Sequence, residues 1–527
     1  MPIHEKLNSL DYTVILVYLT AVVALGFWIS FRRRHSEDLF LAGRTLGWTN
    51  IGLSIWGTNI SPSLMIASCG VAYKSGIVTG NTSWLAWFFL VLLAMLFIPH
   101  YLRTKVYTMP EFLAIRFGQP CRNFLSWYSI FSVLILWLGG TQLAGGILLS
   151  QIMNWDVWIS IVALAAVATS FTVAGGLAAV VITDSFQVIL MIIGSATLTI
   201  VSIYKVGGLS ELIQKVPADY WHLFKPADDP DWPWHAVVLG YLVSAIWFWC
   251  TDQTIVQRVL GARSIQQGQT GAVFTGFLKI LDPLIFLIPG IACFVLFPDL
   301  EDSDQAYVTM VTSLLPHGIR GMIVAVLIAA LVSTVDSGLN SLSTIFTLDI
   351  YKNQFRPRAG HKETKLVGRV VTVVAAVISV LLSIVLSTVE MDLFSLLGSL
   401  IGFIAPVMST VFLVGVLWKR ATAKAALITL IGGGSLSITT GVFYLFYWEK
   451  LLPDIARPHF MLFSFYLWVV LMLGMIILSL VTRKSPDEQE LPTLTETYRQ
   501  ANHSTKKIWL LWGVLAVCML AIYLIFN

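Results

Sequence analysis

Charge is what this sequence has least of. Asp, Glu, Lys and Arg make up 12% of its 527 residues, about half the share of an ordinary soluble domain. That excludes a water-soluble globular protein of this length. The net charge of +4 is too small to call for a nucleic-acid partner, and none is expected. Cysteine is scarce as well. Cys69, Cys121, Cys250, Cys293 and Cys518 are scattered, mostly in apolar stretches, with no CxxC pair. A disulfide framework and a cysteine zinc site are therefore both excluded. The nine histidines fall in loops or at the edges of apolar stretches, without an HExxH or a Ser–His pair at one depth. No intramembrane enzyme site is expected from them. The start of the chain has no basic segment before its first apolar stretch and no small-residue cleavage site, so 11–30 reads as a retained helix.

What is present is hydrophobicity: 57% of the residues, with 19 Trp suited to interfacial belts. About fourteen stretches are long enough to cross a bilayer, at 11–30, 47–72, 80–99, 124–150, 156–175, 178–204, 236–257, 271–297, 321–350, 366–388, 393–418, 423–446, 459–482 and 507–526. The chain is expected to be an all-α polytopic membrane protein. Basic residues cluster after alternate spans: Arg32, Arg33, Arg34 and Arg44; Arg103, Lys105, Arg116 and Arg122; Arg258 and Arg263; Lys352, Arg356, Arg358, Lys362, Lys365 and Arg369. The basic side is the cytoplasm, so both termini are expected outside it.

Polar groups interrupt two kinds of span. In 321–350, Ser333, Asp336, Ser337, Asn340 and Thr344 recur at helical spacings of three and four, with Thr334 beside them. An Asp at the middle of a membrane helix costs about 2.5 to 3.5 kcal/mol. A stripe of hydroxyls with a carboxylate fits a small hard cation held by oxygens. Hydrogen bonding between packed helices is the alternative, although it needs no carboxylate.

In 47–72, the run Gly57-Thr58-Asn59-Ile60-Ser61-Pro62-Ser63 puts Gly, Asn and Pro inside a span. Such a break frees backbone carbonyls and survives only where it lines a cavity or is buried in protein. A simple proline kink is the other reading. The span 236–257 holds Trp247-Phe248-Trp249-Cys250-Thr251-Asp252. This cluster reads either as a gate or as an aromatic belt at the cytoplasmic interface. Lys279 and Asp282, three apart, are close enough to pair; Asp184 can snorkel or cap its helix; Asp349 reads as a solvated helix end.

The segments EDLFLAGRTLGW, GTNIS, YTMPEFLAIRFG, AGGLAAVVITDSFQV, QRVLGARS, GFLK, NSLSTIFTLDIYK and FLVGVLWKR, in this order, resemble the solute:sodium symporter family in its sodium/sugar branch. The resemblance implies a LeuT-like core of two inverted five-helix repeats at about 47–418. An extra helix at about 11–30 and C-terminal helices at about 423–526 complete a single transporter domain over 1–527. It implies Na+ as coupling ion, one or two per cycle, and a lipid bilayer as surroundings, with a bacterial inner membrane as the expected location and a monomer as the functional unit. One sodium would be held by the carbonyls of Gly57, Ile60 and Ala330 and the hydroxyls of Ser333 and Thr334. A second would map to Asp184, Ser333, Asp336 and Ser337, with Asp336 replacing a residue without a carboxylate. Family sugar ligands would fall on Leu64, Ser83, Ala245, Lys279 and Gly398, where only the lysine is kept, and the gating tyrosine becomes Phe248. Thr58, Asn59, Ser61, Ser63, Ser83, Phe248 and Lys279 are therefore the expected solute-facing residues. The expected activity is sodium-coupled import of a sugar or polyol. A sugar acid such as sialic acid, or another small organic anion, is the alternative solute, and a solute sensor or channel the remote alternative.

Overall fold

The structure, a computed structural model, describes residues 7–32, 44–175, 177–484 and 504–527. These residues form an all-helical bundle. Ten helical stretches among them are apolar and long enough to cross a membrane, or eleven when the bent pair Trp234–Cys250 and Gln253–Leu260 is taken as one span. The sequence count was about fourteen. Part of the difference is that Ser63–Thr104 runs as one 42-residue stretch, although Gly76 turns it with φ at +75°. A left-handed φ there suits glycine alone, and the carbonyl of Tyr220 lies against the position a Cβ would take.

The break expected in 47–72 is present, and a second interrupts 236–257 after its aromatic cluster. The second span is two helices, Trp48–Asn59 and Pro62–Ser75, joined at Ile60 and Ser61. Local bonds explain where it parts. The Ser61 amide donates to the Asn59 carbonyl at 3.0 Å instead of reaching back to Gly57. The Leu64 amide donates to Ser61 Oγ at 3.2 Å, so Ser61 caps the second piece. Pro62 has no N–H to offer Thr58. The carbonyls of Gly57, Thr58 and Ile60 thus lose their helical donors.

The second break bends by 41°. There the amides of Thr251 and Asp252 both donate to the Trp247 carbonyl, at 3.0 and 2.9 Å. Asp252 then caps Gln253–Leu260 through the Thr254 amide at 2.9 Å.

Three readings are corrected by packing. Trp247 and Trp249 are buried, so the aromatic cluster is an internal wall and not an interfacial belt. Asp349 is fully buried: Arg122 binds it through Nε at 2.9 Å and Nη2 at 2.7 Å, and Thr108 donates to it at 3.3 Å. A guanidinium fork brought from a distant helix makes that burial tolerable. Arg116, counted as a loop charge, is also buried and donates to the carbonyls of Gly415, Trp418 and Ala421.

Candidate solute and sodium sites

The break in the second span borders two cavities. The larger, about 170 Å³, is lined by Thr58, Asn59, Ser61, Ser63, Ser83, Phe248 and Lys279 together. All seven residues expected to face the solute meet in it. Leu64, Ala245 and Gly398, the positions where family sugar ligands would fall, line it too. Its apolar wall comes from Trp137, Trp249, Phe394, Ile401 and Phe460. Phe248 stacks on Trp137 at 5.9 Å and meets Trp249 edge-on at 4.8 Å. Aromatic faces with a few placed hydroxyls and amides are what a small polar solute needs for orientation.

One wall of this cavity is an ionic cluster. Lys279 bonds to both Asn59 Oδ1 and Asp282 Oδ2. Asp282 also accepts from Trp56 Nε1 at 2.8 Å and from Ser83 Oγ at 3.1 Å. The Lys279 ammonium lies over the Trp249 ring at 5.7 Å, within cation–π range.

The smaller cavity, about 20 Å³, is lined by Gly57, Ile60, Ala330, Ser333, Thr334 and Ser337 among others. That volume is close to one water-sized occupant. Helix Ile319–Ile345 supplies four of these residues, facing the break. The Thr334 hydroxyl donates to the Ala330 carbonyl at 2.9 Å. Its proton is thereby committed, and its oxygen lone pairs are left to accept. Hydroxyls and freed carbonyls, neutral and hard, match the donor set that a sodium-sized cation prefers. Asp336 is buried on the same helix but is not among the residues lining this cavity. Asp184 lies in helix Leu177–Val206, and its side chain lies outside the described residues.

Thr58 and Trp137 line both cavities. Trp137 sits in a π-helical turn, Val133–Gly140, a local form frequent at functional sites. Sequence reasoning missed Trp137, Gln187 and Thr254 as walls of the smaller cavity, and Thr82, Thr141, Tyr241 and Ser244 as walls of the larger. Thr254 follows the break at Thr251 and Asp252, which was its one signal; the others are brought in by the packing of distant helices.

A broken membrane helix set between a small cavity lined in part by hydroxyls and a polar, aromatic-walled cavity is the arrangement of a secondary transporter. The chain belongs to the Sodium:solute symporter family, whose profile matches residues 39–433. It is 32% identical to sodium/glucose cotransporter 4 of Danio rerio, over 94% of this chain and 82% of that one. It is 32% identical to sodium/myo-inositol cotransporter 2 of Oryctolagus cuniculus, over 93% and 79%. To the sodium/mannose cotransporter SLC5A10 of Bos taurus it is 33% identical, over 82% and 79%. Among solved structures it is similar to the substrate-bound outward-open state of a Na+-coupled sialic acid symporter. The TM-score is 0.77, identity 24%, and coverage 91% of this chain and 99% of that one. That likeness concerns the fold, which is LeuT-like and all-α. The protein is accordingly a multi-pass, sodium-coupled symporter of a small polar organic solute, acting in a lipid bilayer, and is not an enzyme.

Proposed function

We propose that the protein imports a neutral sugar or polyol by alternating access, driven by the sodium gradient. The observation that carries this reading is the division of residues around one break: solute-facing groups on one side, sodium-fitting oxygens on the other, with Thr58 common to both. The sodium/glucose, sodium/mannose and sodium/myo-inositol names of its relatives point to the same solute class. One sodium is held by the carbonyls of Gly57, Ile60 and Ala330 with Ser333 and Thr334. A second is assigned to Asp184, Asp336 and Ser337 with Ser333, nearer the cytoplasm. Sodium at the first site ties the broken helix to Ile319–Ile345 and fixes the strand of backbone from which Thr58 and Asn59 face the solute.

The architecture behind this cycle is read as fourteen spans, with inverted repeats at about 47–418, one extra helix before them and C-terminal helices after. Adding the bent pair, the shorter apolar helices Ser9–Ala21 and Val157–Ser170, and a division of Ser63–Thr104 at Gly76 supports that number. The broken spans are then the first helix of each half. The basic loops support termini on the extracytoplasmic side of a bacterial inner membrane, and the unit of function is taken as a monomer.

Proteoliposomes with an inward sodium gradient test the reading. Tracer hexose or inositol should accumulate above its outside concentration, and removal of sodium should abolish accumulation. Equilibration without accumulation would instead favour a channel or sensor.

A further inference from the structure

Among the described residues Lys279 is the one ammonium lining the solute cavity, and its carboxylate partner stands just behind the wall. Both residues are only 2% exposed. The pair sits where one helix ends and the next begins: Lys279 closes Ile265–Leu278, and Asp282 lies in the first turn of Leu281–Leu296. A carboxylate in a first helical turn is favoured by the helix dipole. Trp56 and Ser83 each donate a further hydrogen bond to it, so Asp282 is held from three separate elements.

We infer that Asp282 is a specificity-determining residue: by balancing Lys279 it keeps the cavity net neutral, so that the site admits a hydroxyl-rich neutral solute and rejects the matching carboxylate. This rests on the sugar-or-polyol reading above. An unpaired buried lysine would draw an anion strongly. Here an entering carboxylate meets an ammonium whose charge Asp282 already balances from behind the wall, and its own desolvation is left uncompensated. A neutral hydroxyl loses nothing by that balance. Lys279 has three N–H groups, two of them directed to Asn59 and Asp282, which leaves one to donate to a solute hydroxyl. Asp282 reaches the solute through Lys279 and is in that sense a positioning residue.

The test compares each hexose with its own uronic acid, so that size and stereochemistry cancel. Purified full-length protein at saturating sodium is titrated with D-glucose and D-glucuronate, and with D-mannose and D-mannuronate, by equilibrium binding. The readout is the ratio of the two dissociation constants within a pair. Wild type should favour the hexose. D282N should move the ratio toward the uronate by about tenfold or more. K279Q should move it the other way and gain D-glucosamine. The double variant K279Q/D282N, neutral again, should return toward the wild-type ratio.

A D282N ratio within about twofold of wild type overturns the inference, and so does a double variant that behaves like D282N. If D282N does not fold, K279Q and the double variant decide by the same ratios. Wild type that prefers the uronate, or that binds neither member of either pair and no myo-inositol, removes the sugar-or-polyol reading and this inference with it. Wild type that takes the hexose while no variant moves the ratio removes only the inference.

Discussion

Thr334→Val tests the sodium assignment with the least structural disturbance. Valine keeps the branched shape and loses only the hydroxyl. In the protein that hydroxyl donates its proton to the Ala330 carbonyl at 2.9 Å and presents its lone pairs to the small cavity. On the proposed assignment the substitution removes one oxygen from the donor set and leaves the rest of the lining in place. An interaction with a charged partner is worth about 1.5–3 kcal/mol, so sodium affinity should fall roughly ten- to a hundredfold. Loss of the intrahelical bond should cost about 1 kcal/mol of stability by itself, and a melting measurement without sodium isolates that part.

Sodium binding then appears as a difference. At a sodium concentration about 100 times the dissociation constant, wild type gains about 2.7 kcal/mol; a hundredfold weaker site at the same concentration gains about 0.4 kcal/mol. The assay is a sodium titration of the thermal midpoint, paired with initial rates of hexose uptake against sodium. Thr334→Ser should stay within a few-fold of wild type, and high sodium should restore uptake by the valine variant. A valine titration superimposed on wild type would refute the assignment, because the oxygen would then not touch the ion.

Three further outcomes are expected. Asp336→Ala should lower the Hill coefficient of sodium-driven uptake toward one; a coefficient that stays above one would place the second sodium elsewhere. Arg122→Gln strands the buried Asp349 carboxylate and should destabilise by about 3 kcal/mol or more. Asp349→Asn should cost less, because the Arg122 side chain is 19% exposed and can reach water. Equal losses in melting temperature would contradict that asymmetry. Asp304, in the short 3-10 turn Ser303–Gln305 before Ala306–Leu314, is held up to about 6 by burial, helped by the carboxylates of Asp302 and Asp392 and opposed by the Leu393 amide bond and Lys74. The unfolded chain would lose this proton near 3.8. Stability should therefore fall as pH rises from about 4 to about 6, by about 3 kcal/mol in this one contribution. Asp304→Asn should flatten that slope and melt higher at pH 7.5, and an unchanged melting profile across that range would count against it.

Much of the site was legible because its signals are local. The polar stripe Ser333, Thr334 and Ser337 shows at helical spacing, and Gly57 to Ser63 shows as a break in an apolar span. The structure adds why the helix parts there: Ser61 engages both the Asn59 carbonyl and the Leu64 amide, which releases the carbonyls of Gly57 and Ile60. What was not legible depends on partners far along the chain. Asp349 reads as a solvated end until Arg122, 227 positions away, is seen to bind it. Trp137 reads as one more apolar residue until its ring stacks on Phe248 and borders both cavities. The pairing of Lys279 with Asp282 is local and was visible, but its contacts with Asn59, Ser83 and Trp56 were not.

Those contacts give the coupling a physical route. Gly57, Thr58 and Asn59 are consecutive, and a helix turns about 100° per residue. The first therefore faces the small cavity, the second borders both and the third faces the large one. On the proposed assignment, sodium pins the Gly57 carbonyl to the Ala330 side. Thr58 is then fixed, its hydroxyl already tied to the Ser54 carbonyl at 2.8 Å. Asn59 is fixed with it, and Asn59 is a partner of Lys279. Ordering at the ion site thus reaches the lysine that meets the solute within three residues of backbone and one hydrogen bond. The same links run in the other direction, so a solute that engages Lys279 and Asn59 must raise sodium affinity by the factor that sodium raises its own. A neutral solute is the natural beneficiary, because what the route transmits is position and not charge.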